Sequence, residues 1–334
     1  MKINTFEKER DYTTYPRKFV SYRWFKPLLT GILFMIFYYI FSFTLIVIGG
    51  IVSGDFAAFF EQISGGYDTL SVYSVPGILA SLAPVASMIP ALYLASKIVG
   101  DRPFSSYSSA RGGWNWKIFF RMLLVAGVTV GIPNIVMILL TVERTSANHF
   151  SLLTFILLTI LGPMQCIAEE YGFRGLLMQS IGSWFRLPIL AIILQMVVFA
   201  SQHPYNAIGV ASIVVSGLTF GFVAWYTNGL ETGAAEHVMN NMTIFYLSGL
   251  GFDKAIATEV APSDLIQTII CDAAFIACVI ILDRKFHWFG EIKRDDITPF
   301  NDRINARKKV TVEQPAATSE QSAAPADQDV KPAE

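Results

Sequence analysis

Charge is scarce in this sequence. Only 15% of its 334 residues are Asp, Glu, Lys or Arg, against roughly 25% in a soluble domain. Hydrophobic residues fill 53%, which excludes an ordinary solvated surface and points to a chain that lives in a membrane. The formal net charge is −1, and no cluster of Lys and Arg stands outside the apolar stretches. A nucleic-acid partner, which needs such a patch, is therefore excluded. Cysteine is equally sparse. Cys166, Cys271 and Cys278 all lie inside apolar runs without C-x-x-C spacing, which argues against a disulfide framework or a thiolate metal site and for a packing role. The serine-nucleophile patterns G-x-S-x-G and G-x-S-G, the aspartyl pattern G-x-G-D and the zinc helix H-E-x-x-H are also missing, so those hydrolytic routes lack support.

What the sequence does have is apolar runs long enough to cross a bilayer. They lie near 28–52, 75–99, 118–140 and 152–167, followed by less regular ones near 187–201, 207–226, 233–250 and 265–282. An all-α, polytopic transmembrane bundle of about eight helices is expected. A polar, charged segment precedes the first run, which is itself too long for a cleaved signal, so that run reads as a retained helix. Short cytoplasmic loops are enriched in Lys and Arg. Lys8, Arg10, Arg17, Lys18, Arg23 and Lys26 precede the first span, whereas 53–74 carries Asp55, Glu61 and Asp68 and no Lys or Arg. Lys97, Arg102, Arg111, Lys117 and Arg121 flank the second loop, and Arg284, Lys285, Lys293 and Arg294 follow the last span. Both termini are thus expected in the cytoplasm, with an even number of spans and a multi-pass protein of the plasma membrane. The organisation expected is a cytoplasmic segment 1–26, N-terminal helices over 27–150, a polar-bearing membrane core over 151–283 and a largely disordered cytoplasmic tail over 284–334. Trp24, Trp114, Trp116 and Trp288 sit at span ends and read as interfacial anchors.

Ionisable residues inside a span cost about 2.5–3.5 kcal/mol on insertion scales, so an intramembrane cluster suggests a functional site. Three clusters occur. In Glu169-Glu170-Tyr171-Gly172-Phe173-Arg174, a persisting helix makes Glu170 and Arg174 i,i+4 partners while Glu169 points about 100° away. One carboxylate is then held and the other left available as a general base, although a helix-terminal ion pair reads equally simply. Phe199-Ala200-Ser201-Gln202-His203 ends an apolar run with an imidazole able to move a proton, bind a metal or cap a helix. His237 and Asn241 are four apart, so on a helix they share a face and could donate together to a developing oxyanion, or serve as interhelical polar glue. Gly217 and Gly221, in small-x-x-x-small spacing, permit the close helix approach that would draw these clusters together.

In this order and spacing, Glu169-Glu170-x-x-x-Arg174, Phe199-x-x-x-His203 and His237-x-x-x-Asn241 resemble the motifs of the CAAX prenyl protease and bacteriocin-processing (CPBP, Abi-type) family, over roughly residues 152–250. Phe173-Arg174-Gly175-Leu176-Leu177 and Thr227-Asn228-Gly229-Leu230 fit the same pattern. The resemblance implies an integral-membrane endopeptidase acting on a membrane peptide or protein. Glu169 would activate water with the help of His203, His237 and Asn241 would stabilise the oxyanion, and Glu170 and Arg174 would support the site. If the enzyme is a metalloprotease, Glu169, His203 and His237 would hold zinc. Alternating spans place Glu169 near one end of its helix and His203 near the far end of the next. For the two to meet, the fourth helix must run on from about 151 to 180.

Overall fold

The computed structural model describes residues 11–64, 71–144, 147–252 and 259–289. Of the tail expected over 284–334, residues 290–334 lie outside them, as do the first ten residues, whereas Arg284–Phe286 instead close the last helix. Regular structure among the described residues is helical, and it follows the hydropathy. The long helices are α1 (Lys26–Val52), α3 (Val75–Val99), α4 (Trp116–Thr141), α5 (Leu152–Phe185), α6 (Pro188–Ser201), α7 (Ala207–Thr227), α8 (Glu231–Gly249) and α9 (Pro262–Phe286), with a short α2 (Phe56–Ser64) after α1.

Among these, α1, α3, α4, α5, α7 and α9 are long and apolar enough to cross a membrane. With no water in the hydrocarbon core to satisfy backbone groups, such helices are the form a spanning chain must take, and the chain is an integral membrane protein. The remaining two differ for separate reasons. α6 has only 14 residues, about 21 Å at 1.5 Å per residue. α8 is long enough but polar, and its first eight residues are all buried at the centre of the bundle.

Several of the long helices start at a residue whose side chain caps them. The Ser151 hydroxyl accepts from Thr154 N, and Thr154 Oγ1 in turn accepts from Ser151 N, a reciprocal box that opens α5. Asn115 caps α4 and Asn206 caps α7. α7 stops at Asn228, whose left-handed φ of 58° turns the chain directly into α8. Two helices carry π-helical segments, Gly127–Gly131 in α4 and Tyr171–Met178 in α5.

One end of the bundle is tied together by loops. Ala110 N donates to Asn228 O and Leu230 N to Ser108 O, joining the α3–α4 loop to the α7–α8 turn. Glu231, fully buried, accepts from Arg111 Nη2 at 2.6 Å and Asn115 N at 2.9 Å. The residues before α1 also pack here instead of trailing away. Tyr12 donates to Tyr107 O at 2.6 Å, Arg17 donates to Ser183 O at 2.8 Å, and Thr13 lies so close to Gly182 that a Cβ there would stand 2.3 Å from its carbonyl oxygen. The sequence reading of 1–26 as a separate segment missed this docking, because Tyr12, Tyr15 and Phe19 are too widely scattered to register as an apolar run. Trp24 and Trp116 are exposed, as anchors are expected to be. Trp114 instead stacks on Tyr171, ring centroids 6.1 Å apart.

Candidate active site

The second π segment begins at Tyr171, immediately after the paired glutamates, and such widened turns are frequent at functional sites. Glu170 has no solvent exposure. Its Oε1 accepts from Arg174 Nη1 at 3.0 Å and lies 3.0 Å from His237 Nδ1. An ionised carboxylate can only accept, so this contact places the proton on His237 Nδ1 and turns Nε2 towards the remaining space. Arg174, also unexposed, reaches Gly217 O at 3.4 Å, and its guanidinium stands 4.2 Å from the Phe199 ring and 5.0 Å from that of Phe220. Phe220 stacks on His237 at 5.0 Å. The ion pair of Glu170 and Arg174 is only partly satisfied, since Glu170 Oε2 and Arg174 Nε are buried without a hydrogen-bond partner, so removing either member would leave a buried charge uncompensated.

Glu169 is held differently. Gln165, one turn earlier, donates from Nε2 to Glu169 Oε1 at 2.5 Å. The second oxygen, Oε2, is buried and accepts no hydrogen bond, and His237 Nε2 stands 3.7 Å from it. That separation is too long for a direct hydrogen bond and suits one bridging water oxygen. Each glutamate thus has one bonded oxygen and one, Oε2, without a donor, and the two differ in their partners: the charged Arg174 and His237 for Glu170, the neutral Gln165 for Glu169.

His203 and Asn241 complete the set at different distances. The His203 Nδ1 lies 2.9 Å from Phe199 O, and its ring meets Phe199 edge-on at 4.7 Å. Neither glutamate is among its hydrogen-bonding partners. It approaches the other residues through Phe199, whose ring is 6.2 Å from His237, and it stands on an apolar cavity of about 450 Å³ with Met196, Val197, Ala200, Val210 and Val214. Asn241 lies one turn beyond His237 on α8, beside Cys166 of α5. Its Oδ1 accepts from Asn240 Nδ2 at 3.1 Å.

Helix lengths explain how residues on alternating spans meet. α5 continues to Phe185, 34 residues in all, so Glu169 lies 16 positions before its end, about 24 Å at 1.5 Å per residue. His203 lies 15 positions after α6 begins at Pro188, about 22 Å back along an antiparallel neighbour. The two levels coincide. The same count pairs Arg174 with Phe199, eleven positions on either side of the turn, where contact is observed. Gly217 and Gly221 serve the approach of α7 to α6. A Cβ at Gly217 would sit 3.1 Å from Met196 Cγ, and one at Gly221 would sit 2.7 Å from Gln195 Nε2.

Both histidines, His237 and His203, engage Nδ1, with Glu170 and with a backbone carbonyl respectively, and keep Nε2 free, as a metal ligand also would; among the described residues no group of three His, Cys, Asp or Glu is close enough together to hold a metal ion. Several residues of the site went unseen in the sequence reading. Gln165 is a neutral polar residue in an apolar run. Glu236, next to His237, is 1% exposed with no donor to either oxygen, and it faces Asp272 of α9, which lies near Thr219 and Ser216. The acid at 272 inside an apolar run was the signal available for that pair.

Comparison with known proteins finds similarity over this core. Residues 148–243 match the family described as Type II CAAX prenyl endopeptidase Rce1-like, from just before α5 to within α8. The chain is also 28% identical over 171 residues to the uncharacterized protein YyaK of Bacillus subtilis (strain 168), covering 46% of this chain and 55% of that protein. The similarity thus spans about half the length of that relative. No solved structure matches the chain. The matched residues 148–243 are those over which the motif resemblance lies.

Proposed function

We propose, on the basis of this similarity, that the protein is an intramembrane endopeptidase that uses Glu169 as its general base. The observation carrying the proposal is Glu169 Oε2, buried without a hydrogen-bond donor and 3.7 Å from the Nε2 of a histidine whose Nδ1 is held by Glu170. A water in that gap donates one proton to Glu169 as its oxygen adds to the scissile carbonyl, and the carbonyl π pair moves onto oxygen. The oxyanion is met by the side chains of His237, oriented by Glu170, and of Asn241. Collapse breaks the C–N bond, and the amine leaves with the proton carried by Glu169. His203, at the cavity mouth, assists proton transfer from the entrance side. The substrate is a membrane-associated peptide or protein, since the groups lie within the helical bundle and the adjoining cavity is lined by aliphatic side chains.

The test is cleavage of a membrane-peptide library by the purified full chain in detergent. Glu169→Gln preserves shape and removes the base, so cleavage should fall by about 10²–10⁴-fold. His203→Ala should also slow it, and chelator should leave the wild type active. Equal cleavage by wild type and Glu169→Gln would remove Glu169 from the chemistry. Loss on chelation, restored by zinc, would replace the glutamate mechanism with a metal one.

A further inference from the structure

A line of side-chain amides runs across three helices and ends at Asn241. Gln267 of α9 donates from Nε2 to Asn134 Oδ1 of α4 at 2.7 Å, and Asn134 Nδ2 donates to Asn240 Oδ1 of α8 at 2.9 Å. Asn240 Nδ2 donates in turn to Asn241 Oδ1 at 3.1 Å. Each primary amide has one accepting oxygen and one donating nitrogen. In this series every internal amide accepts on one side and donates on the other, so all dipoles point the same way. With Asn240 donating to its oxygen, Asn241 turns its NH₂ the other way, and its neighbour there is Cys166, one turn before Glu169 and Glu170.

From this geometry we infer that Gln267, Asn134 and Asn240 are positioning residues that fix the flip of the Asn241 amide, so that nitrogen and not oxygen faces the developing oxyanion. The inference deepens the proposed function and rests on it. An amide is nearly symmetric in shape, and packing alone distinguishes its two orientations poorly. The reversed flip would set a carbonyl oxygen against the oxyanion, turning a stabilising contact into a repulsive one. Aligned amides also polarise one another, which strengthens the terminal N–H as a donor. The backbone is adapted to bring the relay together. The π segment of α4 presents Gly131 to Met239, where a Cβ would stand 2.8 Å from Sδ, and Met239 is the residue before Asn240. Polar glue would require one pair of residues, in either orientation. Here four residues share a single direction that terminates on the site.

The experiment is a mutant cycle on the full-length chain in detergent, using a peptide that the wild type cleaves, with Glu169→Gln as the control. Asn241→Ala should lower kcat by about 10²–10³-fold, the usual loss for one oxyanion donor. Asn240→Ala should lower kcat by about tenfold with KM and the unfolding midpoint unchanged, the scale of one oriented hydrogen bond. Because Asn240 acts through Asn241, the double variant should be no slower than Asn241→Ala alone. Gln267→Glu, which keeps the shape and removes the donor, should also lower kcat. It carries the same comparison should Asn240→Ala fail to fold. Effects that multiply in the double variant, or a kcat for Asn240→Ala and Gln267→Glu equal to that of the wild type, overturn the relay while leaving the protease intact. A Glu169→Gln variant as active as the wild type overturns the proposed function and the relay with it.

Discussion

Glu169 and Glu170 are adjacent in sequence and opposite in circumstance. Glu170 has no exposure and shares its Oε1 between Arg174 and His237, whereas Glu169 is half-buried, takes its hydrogen bond from the neutral Gln165 and has His237 Nε2 3.7 Å from its Oε2. Substitutions should separate the two. Arg174→Ala leaves the Glu170 carboxylate buried without its ion pair, and removing one partner of a buried pair costs about 3–5 kcal/mol. We expect a large fall in the thermal unfolding midpoint in detergent, accompanied by loss of cleavage. Glu169→Gln should leave that midpoint nearly in place while abolishing cleavage, because Gln165 can still pair with the amide. A Glu169→Gln variant as destabilised as Arg174→Ala would mean that Glu169 is structural.

At the scale of elements, helix length and glycine placement set the site. An α5 of ordinary span would end near Ile167, and Glu169 would then be a loop residue at the membrane surface. Its continuation to Phe185 brings Glu169 level with the end of α6. α7 can approach α6 because Gly217 and Gly221 leave no Cβ between them. The exposed carbonyl of Gly217 then serves both Gln195 Nε2 at 2.9 Å and Arg174 Nη2. Gly217→Leu should separate the helices, withdraw that acceptor and cost about 1–3 kcal/mol from overpacking. Thermal unfolding of the variant in detergent measures this, and an unchanged midpoint would show that the approach is not tight. Gly31 makes a useful control, since a Cβ there meets nothing within 4 Å.

For the whole molecule, one end of the bundle is closed by the residues before α1 and by the loop between α3 and α4. Tyr107 in that loop is fully buried, and burial pushes its phenol from 10.0 up to about 12, against the pull of the Arg102 guanidinium 3.9 Å from its ring. In the unfolded chain the phenol loses its proton near 10, whereas the folded chain keeps it to about 12. Between those values the unfolded state binds fewer protons, so stability is complete below pH 10 and declines as pH rises through the window. The unfolding midpoint should fall from pH 10 to pH 12, and Tyr107→Phe should reduce that fall. An identical pH dependence in the variant would place the sensitive group elsewhere.

Much of this architecture was legible in the sequence, because bilayer thickness converts directly into the length of an apolar run. The eight helices, their order and the i,i+4 pairing of Glu170 with Arg174 follow from hydropathy and helical spacing. The ordered Glu, His and Asn motifs identified the core that the family match covers. Other features depend on contacts between residues far apart in the chain. The second partner of Glu170 is His237, 67 positions away, which no local spacing shows. The amide relay was decided by Asn134 and Gln267, which lie on helices outside the matched segment and carry no charge to mark them. Sequence determined which segments enter the membrane, because that depends on the composition of each segment alone. Only the tertiary structure decided which polar groups meet inside it, because that depends on helix ends, glycine contacts and the mutual rotation of helices that no single segment encodes.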